Sequence, residues 1–569
     1  MKATYANKDK TTSSSLLRII PLGGLEEIGR NMTIFEYQDQ IIIVDMGLQF
    51  PNDHTPGIDF IIPNIDYLVQ NPRKKILGVF ITHAHYDHIG AIPYIIDKLH
   101  YPPLYAAPLT KAIILKRQEE FSHLQKLDIR TIDGKNPAPI KLGPFQIDHF
   151  HLNHTIPDTV GLAIKTPVGL IMYTTDFKFD FQPVGEKPAD LSRIAKLASG
   201  GVQLLMSDST GAEREGHSIS ETTIMENLDN LFSKLKGRII LTTFSSLISR
   251  LQQAVWLAEK YNRKVIIEGR SMKTNIAIAQ HLGYIQVKQH TIINWKEAKR
   301  LSPSQIVILC TGAQGEEEAV LMRVVSRAHQ HLRIEQGDSV ILSSSTVPGN
   351  ELAVQGLKDI LSKQGADVYH YHMLDIHASG HAYQEDLKLM FSLIKPRCFM
   401  PIHGNYSMLK AHAGIAKDLG VNPLNIVIAA NGQIVELSNN RIEATKKFVP
   451  ANYIMVDGLG VGDIGEVVLR DRQTLAKDGI FVIIANIDRK TGLLRNDPEI
   501  ISRGFVYMKE SKKLIEEVKK LIHETVSHST KQQSFNELYV RNNLREEVGL
   551  LLFKKTQRRP MILPVIIKS

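Results

Sequence analysis

Apolar and polar positions change rhythm three times along the chain. From Leu16 to about Ser209, short β-branched runs alternate with turns and a few helical patterns; Ile41-Ile42-Ile43-Val44 and Ile76-Leu77-Gly78-Val79-Phe80-Ile81-Thr82 are examples. Continuous apolar runs of this length fit strands covered on both faces, so the segment predicts a sheet-rich α/β layer. From roughly Gly211 to Gly365, longer helical segments alternate with apolar strands at Arg238 to Thr243, Lys264 to Glu268, Gln305 to Cys310 and Ser339 to Ser343. This alternation predicts a doubly wound α/β domain. Short strands resume after about Ala366, and loops carrying His377, His381 and His403 come with them, as expected if one domain is inserted into another. A glycine-rich connector, Asp457 to Gly462, precedes a unit in which Leu514, Ile515, Val518, Leu521, Ile522 and Val526 recur at helical spacing, the packing face of an amphipathic helix. The expected organisation is a flexible tail at 1–15, a layered domain at 16–210 and 366–450 interrupted by the insertion at 211–365, a linker at 451–464 and a C-terminal domain at 465–569.

Composition narrows the class. The 569 residues exceed one ordinary core, and 43% hydrophobic with 22% charged residues describes a globular chain. A net charge of +9 favours a polyanionic partner, nucleic acid or an acidic membrane surface. Cys310 and Cys398 sit in no paired motif, which argues against a disulfide framework or a thiolate zinc finger and suits a reducing cytoplasm. Met1 to Ser15 is polar and lacks the apolar stretch of a signal peptide. The apolar runs fall short of the roughly 20 residues that span a bilayer, so no membrane span is expected.

The chemistry is concentrated in Thr82-His83-Ala84-His85-Tyr86-Asp87-His88-Ile89-Gly90, between an apolar strand and a helix-compatible stretch. Three His and one Asp within six positions have little structural use, whereas imidazole and carboxylate donors suit zinc or manganese. Further donors follow strand-like runs at Asn153-His154-Thr155-Ile156-Pro157-Asp158, Thr175-Asp176-Phe177 and Pro401-Ile402-His403-Gly404. Open α/β sheets place their sites at such strand ends.

The HxHxDH run with a later His, Asp and His resembles the metallo-β-lactamase fold, an αββα sandwich that binds two metals. The resemblance implies that His83, His85 and His154 hold one divalent ion, zinc or manganese, that Asp87, His88 and His403 hold the other, and that Asp176 bridges them. Two metals at such a centre can lower the pKa of a water and stabilise both oxygens of an in-line phosphoryl displacement. Ser207-Asp208-Ser209-Thr210 and His377-Ala378-Ser379-Gly380-His381 resemble motifs of the β-CASP nucleases, whose α/β insertion covers the metals. In that resemblance Asp208 orients groups near the metals and His381 acts on the scissile phosphate.

Over Leu22 to Ile567 the chain resembles the bacterial ribonuclease J family. The match is carried by Pro21 to Gly29, Ser343 to Glu351, Ile500 to Tyr507 and Arg558 to Pro564. This implies 5′-to-3′ exonuclease and endonuclease action on single-stranded RNA bearing a 5′ monophosphate, in RNA processing and mRNA decay, by a homodimer or homotetramer that can include a paralogue. Ser246, Ser344, Ser345, His377, Ser379 and Gly380 match the family's phosphate pocket. Leu247 departs from it, standing where a polar residue is usual. The competing readings are a β-CASP DNA nuclease, a small-molecule hydrolase of the same fold and a non-catalytic partner subunit.

Overall fold

The computed structural model describes residues 16–51, 55–132, 138–316, 318–347, 349–439, 441–458, 460–462, 465–488, 490–506, 511–531 and 536–568; the expected tail at 1–15 lies outside them, as do Pro348 and Tyr507 of the quoted motifs. One compact unit takes the chain up to Phe50 and from Ile61 to Ile454, and a second takes Pro51–Phe60 with Met455–Ser569.

Two sheets face each other in the first unit. One runs, in spatial order, through Ile442–Phe448, Gln433–Leu437, Leu17–Gly23, Met32–Tyr37, Gln40–Val44, Lys75–Phe80, Leu104–Ala106 and Ile129–Thr131; the other through Cys398–Ile402, Leu204–Asp208, Gly169–Tyr173, Val160–Thr166, Phe145–His151 and Ile140–Leu142. Side chains alternate across a strand, so each sheet sends one set inward. Phe35, Val44 and Phe80 meet Phe145, Ile164, Met206 and Met400 in a single core between the sheets. The outward set of the second sheet, including Phe150, Met172 and Phe399, is covered by Ile194, Leu387, Phe391 and Ile415. Those residues belong to the helices Leu191–Ala198, Gln384–Ile394 and Tyr406–Asp418. This is the layered sandwich expected from the sequence, and it is closed by strands from both sides of the insertion.

The inserted domain is a five-stranded, wholly parallel sheet in the order Lys264–Ile267, Ile306–Cys310, Ile239–Thr242, Ser339–Leu342, Asp367–His370. Its last strand lies beyond the boundary drawn at 365. Asp367–His370 is an edge strand with no fully buried residue, so it lacks the apolar run that betrays its neighbours. The central strand, Ile239–Thr242, is the first in the chain, and the loops after it and after Ser339–Leu342 leave the sheet side by side at its carboxyl edge.

In the second unit, Ile480–Ile487 is flanked by antiparallel Glu499–Arg503 and parallel Met561–Lys568. The helices Lys512–Lys531 and Glu537–Thr556 bury Val518, Ile522, Val526, Val540, Leu544 and Val548 in its core. Within the predicted apolar stripe, Leu514 and Leu521 are only partly buried. The segment expected to be a linker, 451–464, contains the strand Ile454–Asp457, paired with Gly460–Val461. The Asp59 N–H donates to the Val456 carbonyl (2.9 Å), so part of the segment assigned to the first domain belongs here. Pairing between segments so far apart in sequence leaves no local signal. No helix among the described residues is long and apolar enough to cross a membrane.

Candidate metal centre

Four strand ends converge on one spot. His83, His85 and His88 follow Lys75–Phe80, Asp176 follows Gly169–Tyr173, Asp208 ends Leu204–Asp208, and His403 follows Cys398–Ile402. His154 lies on the loop after Phe145–His151. The His85 Nδ1 sits 3.1 Å from the Nε2 of both His83 and His154. Asp87, His88, Asp176 and His403 form a second group; within each group one donor atom per residue lies within 4.8 Å of the others, and each group could hold a metal ion. Asp176 stands between them: its Oδ2 is 3.4 Å from His88 Nε2 and 3.9 Å from the Nε2 of His83 and of His154.

Orienting bonds fix the imidazoles. His154 donates from Nδ1 to the Gly380 carbonyl (2.7 Å), which turns its Nε2 lone pair inward. His88 donates from Nδ1 to Asp45 Oδ2 (2.8 Å). Asp45 also accepts from the Thr82 N–H (2.8 Å) and hydroxyl (3.0 Å). Carboxylates and carbonyls in this position set the tautomer and raise the basicity of metal-binding histidines. Asp45 was not singled out from the sequence, although it shares the signal of the other site residues, a polar side chain just past an apolar strand. His403 donates from Nδ1 to Asp176 Oδ1, while its buried Nε2, 3.6 Å from Asp87 Oδ2, has no hydrogen-bond partner. A buried nitrogen aimed at a carboxylate and left unpaired fits a ligand position for a cation.

Burial and the neighbouring imidazoles hold His83 and His154 well below the ordinary histidine value, and burial pushes His85 down to about 4. All three are therefore neutral, as metal ligation requires. Burial also opposes charge on His88, yet Asp176, Asp87 and Asp45 outweigh it and raise its pKa. The Asp176 carboxyl is buried too, and His403 and His88 hold it well below the usual carboxylate range. One half of the centre thus presents neutral nitrogens, and the other gathers carboxylates poised for positive charge.

His381 lies beside these groups with its Nδ1 on Asp208 Oδ2 (2.8 Å), and Asp208 Oδ1 is engaged by the Thr210 N–H (2.9 Å) and hydroxyl (2.8 Å). Although burial opposes it, the Asp208 carboxylate raises the His381 pKa to about 9. A cleft of about 860 Å³ opens beside His85 and Asp87 and is lined by Tyr86, Arg117, Phe244, Ser246 and Arg270.

The six residues matched to a phosphate pocket do different things. Ser246 lines the cleft. Ser344 accepts from Gln314 Nε2 at Oγ (2.9 Å), and Ser345 accepts from it at its carbonyl (2.7 Å). The Ser379 hydroxyl accepts from the His381 N–H (3.2 Å). His377, with a buried and unpaired Nδ1, is pushed down to about 3 by burial. The Gly380 carbonyl serves His154. Leu247 turns away into the core at 1% exposure, so the departure from the family pattern does not line the cleft.

Comparison with known proteins agrees with this architecture. Residues 56–223 match the beta-lactamase superfamily domain, 236–361 the beta-CASP domain of ribonuclease J, 370–426 the Zn-dependent metallo-hydrolase RNA specificity domain, and 467–569 the ribonuclease J C-terminal domain. The chain is 41% identical over 549 residues to Ribonuclease J 1 of Streptococcus pyogenes serotype M3, covering 96% of this chain and 97% of the relative. It is 36% identical over 561 residues to Ribonuclease J2 of Bacillus subtilis, covering 99% and 100%. The crystal structure of a protein of unknown function from Enterococcus faecalis shares the fold, with a TM-score of 0.52 at 18% identity over 74% of this chain and 100% of that one. With its sandwich, insertion and C-terminal unit each matched, and two relatives aligned over almost their whole length, the chain belongs to the ribonuclease J family.

Proposed function

We propose that this chain is a metal-dependent nuclease that degrades single-stranded RNA 5′ to 3′ from a monophosphorylated end and also cleaves internally. The observation that carries the reading is the position of Asp176 Oδ2, within 4 Å of three imidazoles from two donor groups. His83, His85 and His154 would hold one divalent ion, Asp87, His88 and His403 a second, and Asp176 both. Zinc suits the imidazole and carboxylate donors, with manganese the alternative. Bound there, the ions supply Lewis acidity at the phosphoryl oxygens and a water of lowered pKa.

The protein's own groups complete the reaction. His381, charged at neutral pH through Asp208, stabilises negative charge developing on the phosphoryl group and protonates the departing 3′ oxygen. Water adds to phosphorus, the bond from phosphorus to the 3′ oxygen breaks, and a 5′ phosphate and a 3′ hydroxyl result. The loops bearing Ser246, Ser344, Ser345, His377, Ser379 and Gly380 would receive the 5′ monophosphate. The names of the relatives support RNA over DNA, and the complete donor set supports an enzyme over a non-catalytic subunit. We assign it to the cytoplasm as a homodimer or homotetramer, with a paralogue as a further partner, a reading supported by two free, buried cysteines and by family membership.

End-labelled RNA carrying a 5′ monophosphate or triphosphate, incubated with wild type and His85→Ala, tests the reading. Mononucleotides should appear rapidly from the monophosphate form alone, and the substitution should abolish them. Equal degradation of both RNAs would refute the 5′-end requirement, and full activity in the variant would refute the metal centre.

A further inference from the structure

A chain of buried charge runs between the metal-centre loops and the inserted domain. Lys178 lies two residues beyond Asp176, and its N–H donates to the carbonyl of Asn153, the neighbour of His154 (2.8 Å). Its Nζ is 3.4 Å from Glu221 Oε1 and 3.7 Å from Asp180. Glu221 Oε2 meets Arg250 NH2 at 2.9 Å, where the side chains are 4% and 0% exposed. The Arg250 guanidinium spends every edge. Nε donates to Gln253 Oε1 (2.7 Å), NH2 to Glu221, and NH1 to both the Ser343 hydroxyl and the Ile376 carbonyl. Ser343 Oγ in turn donates to the Ile376 carbonyl (2.6 Å).

The contacts close into a ring. Ser343 leads into Ser344 and Ser345, and Ile376 leads into His377, Ser379 and Gly380. The far end of that second loop, the Gly380 carbonyl, is held by His154. The segment from 376 to 380 is therefore tied at one end to Arg250 and at the other to a donor of the metal centre. Arg250 reaches back to the same centre through Glu221 and Lys178. Two cations and two carboxylates balance here, but burying such a set is no better for stability than well-packed apolar side chains would be. What the ring provides is a fixed separation between two loops and a metal centre.

We propose that Arg250, braced by Glu221 and Lys178, is a positioning residue that holds the 5′-phosphate loops in register with the metal centre, so that the scissile bond lies a set distance from the bound 5′ end. The inference rests on the phosphate-pocket reading above. Arg250→Lys preserves the buried charge opposite Glu221 but loses the planar fork that joins Gln253, Glu221, Ser343 and Ile376. The test compares, for wild type and Arg250→Lys, mononucleotide release from linear 5′-monophosphorylated RNA with cleavage of the same RNA closed into a circle, which has no 5′ end. Metal content and KM are measured alongside.

The ratio of the linear to the circular rate should fall at least about tenfold, the scale of one lost hydrogen bond to a charged group. The loss should appear in KM for the linear RNA, with dinucleotides among its products and metal content retained. Ser343→Ala, which leaves the ion network intact, should shift the ratio in the same direction and decides the matter if Arg250→Lys does not fold. Parallel loss on both RNAs with the ratio preserved would overturn the inference and leave the pocket reading standing. A wild type indifferent to the 5′ end would overturn the pocket reading and the inference together.

Discussion

Asp45, Thr175 and His403 all adopt positive φ, at 62°, 58° and 51°. Each follows an apolar strand: His403 is itself a candidate donor, Thr175 precedes the candidate donor Asp176, and Asp45 accepts from His88. Left-handed backbone at a non-glycine residue costs on the order of 1 kcal/mol or more, so three such positions around one centre mark strain held by the surrounding sheets to aim side chains inward. Gly380 shows the same economy of space by another route. A Cβ there would lie 2.6 Å from His154 Cε1 and 2.7 Å from Thr155 Cγ2. Gly380→Ala should displace His154 and lower metal affinity about 10-fold to 100-fold, the usual effect of disturbing a ligand's orienting partner; titration with zinc or manganese reads it directly, and unchanged affinity would refute the role.

His412 carries a pH dependence that does not involve the metal centre. It is buried beside Phe391 and Phe399, its Nδ1 is 3.1 Å from Ser209 Oγ, and burial pushes it down from 6.5 to about 3. The folded pKa lies below the unfolded one, so the unfolded chain binds the extra proton. The stabilisation is whole above pH 6.5 and is lost progressively as the pH falls toward about 3. Relative to His412→Leu, wild type should lose about 1.4 kcal/mol between pH 7.5 and 5.5. Urea unfolding at the two pH values measures the difference, and a constant difference would contradict it.

At the scale of elements, the helix Glu221–Lys234 shows what a local pattern reveals and what it omits. Ile224, Leu228, Leu231 and Phe232 supply a buried face with helical spacing, and Ser220 caps the first turn by accepting from the Thr222 N–H. A second cap comes from far away: Asp180 Oδ2 accepts from the Glu221 N–H (2.8 Å), and its Oδ1 accepts from the Ser220 hydroxyl (2.7 Å). Asp180→Ala should cost at least about 1–2 kcal/mol, since it removes a cap and leaves Lys178 with one fewer counter-charge. Calorimetry should show the lowered melting temperature, whereas an unchanged one would mean that Ser220 suffices. The strands with continuous apolar runs were legible in the same way as the helix face. The edge strand Asp367–His370, with no fully buried residue, carries no such run.

Across the whole molecule, donor chemistry and periodicity were readable because they are local. Three His and an Asp in six positions identify themselves by composition, and apolar runs separated by turns identify an α/β chain whose rhythm changes where one domain interrupts another. The candidate donors between positions 83 and 403 follow from short motifs and the family resemblance they carry, and most of them lie on loops that follow strands. What had to await folding are the relations between distant segments. Nothing near Asp45 says that its carboxylate meets His88, and nothing near Arg250 says that its guanidinium joins Ser343 to Ile376. Likewise, nothing in Pro51–Phe60 says that it belongs with Met455–Ser569. Hydrogen bonds and ion pairs of this kind are fixed by the three-dimensional closure of sheets and loops, and side-chain identity limits them without choosing among the partners available.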